Sequence, residues 1–233
     1  LDQSKIIELN AKNDNGLSAF MFACQKGNKD VIKLLLGHSE RIELNARSNL
    51  GTTAFMWACC DGHKDIVQLL LDHSERIELN ARVNDGMTAF MIACLKGNKD
   101  VVKLLLDHSD IIKLNTRNNR GLTAFMWACG MGHKDVVKLL LDHLDRMELN
   151  AKNNNGRTAF MWACKYGRKD VVQLLLEHSE RIDLNARDND GWTALMLACY
   201  NGHKDVVKLL LDHSDIIKLN TRNNRGLTAF MWA

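Results

Sequence analysis

The side chains of this chain best suited to chemistry recur along it without converging. Cysteine and histidine stand four apart at Cys59 and His63, Cys129 and His133, and Cys199 and His203, residue types that bind zinc. A metal site needs about four ligands directed at one point. Here Gly62, Gly132 and Gly202 separate the apolar run that carries each cysteine from the segment that carries the histidine. Histidine, lysine and aspartate are adjacent in His203-Lys204-Asp205 and its copies, but consecutive helical residues point in different directions and cannot meet on one substrate atom. No nucleophile with a base and an orienting group stands out, nor a glycine loop that would cradle phosphate. The expectation is a chain that is not an enzyme and needs no metal and no cofactor.

These patterns recur because the chain is built from copies of one stretch, best seen in Gly191–Asn220, GWTALMLACYNGHKDVVKLLLDHSDIIKLN. The opening glycine returns at Gly16, Gly51, Gly86, Gly121, Gly156, Gly191 and Gly226, every 35 residues without an insertion. A fixed period in this range signals an array of stacked units.

Two helices fit each copy. Thr193 is placed to cap a first helix over the apolar run Ala194–Cys199, and Gly202 ends it. Asp205 then sits in the first turn of a second helix, where a carboxylate favours the positive end of the dipole. Val206, Val207, Leu209, Leu210 and Leu211 give that helix a broad apolar stripe, with Lys208 and Asp212 on the wet side. His38, His73, His108, His143, His178 and His213 recur at its end, where an imidazole can bond the last carbonyls. Trp57, Trp127, Trp162 and Trp232 share a position with Phe22, Ile92 and Leu197. Such interchange of large apolar groups reads as packing between repeats.

The pattern Gly-x-Thr-Ala-Phe-Met-x-Ala, then Gly-His-Lys-Asp-Val-Val-x-Leu-Leu-Leu, then a loop ending in Leu-Asn-Ala-Arg, resembles the ankyrin repeat, and the resemblance covers all 233 residues. It implies an all-α solenoid of stacked antiparallel helix pairs with hairpin-like loops. Residues 1–233 would form a single array, with repeats starting near 16, 51, 86, 121, 156 and 191 and partial repeats at 1–15 and 226–233. The chain departs from the family at Ala54 and Ala89, where proline is usual, and at Met56 and Met91, where histidine is usual. Ser74 and Ser109 replace a helix-ending glycine, and the loop His73–Asn80 is about two residues longer than the family norm.

Copies within the chain can be compared directly. Most positions barely change; variation falls three and one before the glycine, one after it, and nine and ten after it. These read Ser48, Leu50, Thr52, Cys60, Asp61; then Val83, Asp85, Met87, Leu95, Lys96; then Asn118, Arg120, Leu122, Gly130, Met131. They continue as Asn153, Asn155, Arg157, Lys165, Tyr166, and Asp188, Asp190, Trp192, Tyr200, Asn201. In proteins that the chain resembles, these places form a concave surface that holds a partner. The resemblance therefore implies a partner-binding set of Leu50, Asp61, Asp85, Met87, Leu95, Arg120, Leu122, Met131, Asn155, Arg157, Lys165, Tyr166, Asp188, Asp190, Trp192, Tyr200 and Asn201. Trp192, Tyr200, Tyr166, Met87 and Met131 are expected to be exposed anchors, since aromatic side chains and methionine give much contact area. Drift at exposed positions is the bland alternative, although drift favours small polar residues. Arg120, Arg157 and Lys165 should make the middle copies locally basic, and Asp188 and Asp190 the sixth acidic, which would orient a partner.

Composition narrows the class of partner to protein. Net charge is +3 with acids and bases interleaved, so there is no basic stripe for nucleic acid. No apolar run approaches the roughly 20 residues of a membrane span. Seven cysteines, one per repeat plus Cys60, and the lack of an Asn-x-Ser/Thr sequon point to a reducing, intracellular and cytoplasmic setting. Leu1–Asn15 supplies the tail of a preceding unit, and Ala233 falls inside a first helix whose partner is absent. Because solenoids need polar capping repeats, the expectation is a fragment of a longer array or end-to-end self-association. Gly97–Ala128 and Gly202–Ala233 differ only at Asn98 and His203 and read as a duplicated block.

Two functions fit: a non-catalytic protein-interaction scaffold, or a structural spacer segment without a specific ligand. One modification is also compatible with the pattern. Asn45, Asn80, Asn150 and Asn185 follow an acid and a leucine, a context resembling that of hydroxylated ankyrin asparagines, whereas Asn115 and Asn220 follow lysine and leucine. The simpler reading is that each asparagine closes its own turn.

Overall fold

A computed structural model describes residues 8–232, and there every repeat folds as a hairpin, a first helix, a tight turn and a second helix. The first helices are α1 (Ala19–Lys26), α3 (Ala54–Asp61), α5 (Ala89–Lys96), α7 (Ala124–Met131), α9 (Ala159–Lys165) and α11 (Ala194–Tyr200). The second helices are α2 (Lys29–Gly37), α4 (Lys64–Leu71), α6 (Lys99–Asp107), α8 (Lys134–Leu141), α10 (Lys169–Leu176) and α12 (Lys204–Asp212). Among the described residues there is no strand, only an isolated bridge between Lys12 and Ser18. Residues 1–7, which belong to the expected preceding unit, lie outside the described part. Ala229–Met231, which repeats the letters that begin α7, makes a single 3-10 turn.

None of these helices exceeds nine residues, short of the roughly 12–15 residues at which an isolated helix is even marginal in water. They exist because their ends are satisfied and their faces are covered. Ser18, Thr53, Thr123, Thr158 and Thr193 accept from the backbone N–H three residues on, at Met21, Met56, Met126, Met161 and Met196. An alanine follows each cap and starts the helix where the family usually has proline. Gly27, Gly62 and Gly132 end α1, α3 and α7 in the left-handed conformation, with φ of 71°, 78° and 85°. The second helices α2, α4, α8, α10 and α12 have no side-chain cap bond, and all six carry an aspartate in the first turn, at Asp30, Asp65, Asp100, Asp135, Asp170 and Asp205.

By its contacts the chain divides into two compact units, residues 1–93 with 100–113, and residues 94–99 with 114–233. In the first, α1 packs on α3 and α2 on α4; in the second, α7, α9 and α11 stack in order, as do α8, α10 and α12. The same residues fill the core each time: Phe20, Phe55, Phe90, Phe125 and Phe160 are at most 2% exposed. The longer loop adds to this core, because Ile42, Ile77, Ile112, Met147, Ile182 and Ile217 at its bend are buried, as are Leu44, Leu79, Leu114, Leu149 and Leu184.

Asparagine joins successive repeats in two ladders. In the loop, Asn150 donates from Nδ2 to the Arg181 carbonyl and accepts at Oδ1 from the Asp183 N–H, both at 2.8 Å. Asn10, Asn45, Asn80, Asn115 and Asn185 do the same toward their own following loops. These asparagines tie one repeat to the next; they do not close their own turns, as the letters alone suggest. At the hairpin tip, Asn49, Asn84, Asn154, Asn189 and Asn224 donate from backbone N–H and Nδ2 to carbonyls of the preceding tip. The recurrent glycine makes this approach possible. Gly156 has φ 79°, and a Cβ there would lie 2.4 Å from the Asn189 Oδ1.

Candidate functional site

The variable positions divide into three kinds once placed on this frame. Leu50, Asp61, Asp85, Arg120, Met131, Asn155, Tyr166, Asp190, Tyr200 and Asn201 are exposed; Leu95, Arg157, Lys165 and Trp192 are half-buried; Met87, Leu122 and Asp188 are buried. The expectation that Met87 is an exposed anchor is therefore corrected, as is the placing of Leu122 and Asp188 on an open surface.

The reason lies in the hairpin. The residue three before the glycine and the residue after it face each other across the turn, as in Asn118 N–H to Leu122 carbonyl, Asn153 to Arg157 and Asp188 to Trp192. Where the first of the two is polar, its side chain also closes the hairpin. Asn118 Oδ1 accepts from the N–H groups of Arg120 and Leu122, Asn153 Oδ1 from Asn155 and Arg157, and Asp188 Oδ1 from Asp190 and Trp192. Val83 has no such oxygen, and there Asp85 Oδ1 takes the Met87 N–H at 3.1 Å. Variation at this position is thus turn chemistry.

Arg157 shows where the residue after the glycine points. Its Nε meets Asp188 Oδ2 at 3.0 Å, with the aspartate side chain 1% exposed and the arginine 20%. The position lies between successive hairpins, and Arg157 and Asp188 satisfy each other. The sequence reading gave them opposite surface charges able to orient a partner; the structure encloses them as one pair.

The outer face of the first helices is different in kind. In the second unit Trp127 and Trp162 stand edge to face with centroids 6.0 Å apart, and Trp162 contacts Tyr166 at 5.3 Å. Arg120 lies over the Trp127 ring at 5.3 Å and Lys165 over the Tyr166 ring at 5.2 Å. Further along, Trp192, Tyr200 and Trp232 form a three-ring group with centroids 5.2–5.4 Å apart. Met131, Tyr166 and Tyr200 are 43%, 40% and 57% exposed. Gly130, buried in α7, is variable for a structural reason: a Cβ there would stand 2.9 Å from Trp162.

The tryptophan position packs between repeats, as its apolar interchange implies, but the packing covers only part of each ring. Trp57, Trp127, Trp162 and Trp232 are half-buried and Phe22 is 38% exposed, while Leu197 is buried. The indole Nε1 atoms are enclosed without a hydrogen-bond partner, so each tryptophan is rooted in the fold while part of the ring stays open. The signal for this lay in spacing. Positions six, nine and ten after the glycine fall on one helical face, and two of those three are variable.

Cysteine and histidine do structural work. Burial pushes the Cys24 thiol up to about 12, and raises Cys59, Cys94, Cys129, Cys164 and Cys199 as well; none of these is poised as a nucleophile. His63, His133 and His203 each place Nε2 at 2.8 Å from a carbonyl of the preceding repeat, at Gln25, Leu95 and Lys165, and Arg168 reaches Gly130 at 2.9 Å. Of the histidines ending the second helices, His73, His108, His143 and His213 bond the carbonyl four residues back. Among the described residues no group of three or more His, Cys, Asp or Glu is arranged to hold a metal. No helix there is long and apolar enough to cross a membrane. An open groove in the first unit, lined by Arg47, Glu78, Asn80 and Ile111, has polar walls bonded within the fold, with Arg47 on Glu78 at 3.1 Å and Asn80 on the Ile111 carbonyl.

A family model described as ankyrin repeats (3 copies) matches residues 3–82, 40–116, 74–153, 111–188 and 180–233, which together span almost the whole chain. No curated protein matches the sequence.

Proposed function

We propose that this chain, which belongs to the ankyrin-repeat family, is a non-catalytic interaction scaffold that holds a protein partner against the solvent-exposed side of its first helices and its hairpin tips. Ankyrin repeats are in general protein–protein interaction modules, and which surface a given array uses is set by its own side chains. One observation supports the reading above others. Met131, Tyr166 and Tyr200 stand exposed beside the half-buried rings of Trp127, Trp162 and Trp192, all within the second unit. Large, preorganised aromatic groups surrounded by polar side chains have the make-up of binding hot spots. The hairpin tips add Arg120, Asn155 and Asp190, whose backbone carbonyls hold the next repeat while their side chains face solvent.

The test compares the wild-type chain with a Met131→Ala/Tyr166→Ala/Tyr200→Ala variant as baits in lysate of the source cell. Circular dichroism first establishes equal helicity. Met87 and Leu122 are left intact because they are buried. Proteins captured by the wild type and lost from the variant support the scaffold reading. Equal capture by both would favour a spacer segment.

A further inference from the structure

We infer that the occupant of this face is an acidic protein segment carrying an aromatic or long aliphatic anchor, an inference that rests on the scaffold reading above. It follows from which charges on the face are already balanced. Arg157 is taken by Asp188 at 3.0 Å. What remains at the rings of the fourth and fifth repeats is Arg120 and Lys165, and the exposed acid on the adjoining tip is Asp190.

The rings decide between a basic and an acidic partner. A bare tryptophan or tyrosine face attracts lysine or arginine from a partner. Here Arg120 covers Trp127 at 5.3 Å and Lys165 covers Tyr166 at 5.2 Å, so the chain's own cations hold those faces. An incoming cation would meet like charge. An incoming carboxylate would meet donors whose positions are fixed by their stacking, with Met131 and the ring edges left for an apolar anchor. In the first unit the exposed variable positions Leu50, Asp61 and Asp85 are apolar or acidic.

A random-peptide display library selected on the whole chain tests this, with Arg120→Glu/Lys165→Glu as the comparison. Arg120 is exposed and Lys165 half-buried, and circular dichroism checks that the variant keeps its helices. Peptides enriched on the wild type should carry Asp and Glu around an aromatic or leucine. The best of them should bind the charge-reversed variant about tenfold more weakly or worse, and its wild-type affinity should fall as salt rises. Enriched peptides that depend on Tyr166 but are neutral or basic would overturn the inference and leave the scaffold reading standing. Enrichment of nothing would count against both. A single-stranded oligonucleotide of equal charge that binds more tightly than the best peptide would also overturn it, in favour of base stacking on the rings.

Discussion

At the scale of single residues, the buried cysteines and the histidines at His63, His133 and His203 serve packing and contacts between repeats. Cys60 is half-buried at the end of α3 whereas the other six cysteines are buried. In the native protein one thiol should therefore react with a thiol reagent at neutral pH and seven in denaturant; rapid native labelling of several would contradict the packing of the first helices. The raised thiols also set a direction with pH. Unfolded cysteines ionise near 9.0, but Cys24 holds its proton to about 12, so this contribution is complete below about 9 and is lost as pH climbs from there toward 12. Denaturant midpoints measured from pH 8 upward should fall, and a rising midpoint would contradict the burial. The Arg157 and Asp188 pair makes a sharper prediction. Arg157→Leu strands a buried carboxylate and should cost roughly 3 kcal/mol in chemical denaturation. Adding Asp188→Asn should restore most of it, because the result reproduces the Leu122 and Asn153 found one repeat earlier. None of this pairing was legible in the letters. A position that varies between copies looks the same whether it faces solvent, as Tyr200 does, or a residue 31 positions back, as Asp188 does to Arg157.

At the scale of elements, the caps, the glycine turn and the helix pair could be read directly, because Thr193, Gly202 and Asp205 act through their own backbone neighbours. What could not be read was contact at a distance of one repeat. The asparagine that ends each loop has a side chain suited to closing a local turn, but in Asn150 both polar ends reach across to Arg181 and Asp183. Local propensity cannot distinguish these uses, since the following loop is brought close only by stacking. Asn150→Ala should cost about 2 kcal/mol, two interrepeat bonds at about 1 kcal/mol each, read as a shift of the urea midpoint. A shift near zero would mean that the ladder is incidental. How far the tryptophans are covered is illegible for a related reason: interchange with Ile92 and Leu197 shows that a site is apolar, not how much of it is covered.

At the scale of the whole molecule, stability in a repeat array is a sum over units and their neighbours. Damage at one interface should therefore spread only to adjacent repeats. In hydrogen exchange, Asn150→Ala should lower protection most in α8, α9 and α10 and less in α12; uniform loss across the second unit would show that it opens as a single block. The division of labour is also clear at this scale. Fixed residues build the stack and buried variable ones such as Asp188 and Leu122 fit neighbours together, while the proposed function assigns recognition to the exposed ones on the first helices. The most direct test of that last assignment replaces Tyr166 with a photo-crosslinking phenylalanine and, in a second protein, places the same group at Lys208, an exposed position on α12. After irradiation in lysate of the source cell, the account predicts a discrete protein adduct from position 166 that is missing from position 208. The same adducts from both positions, or none from 166, would contradict it.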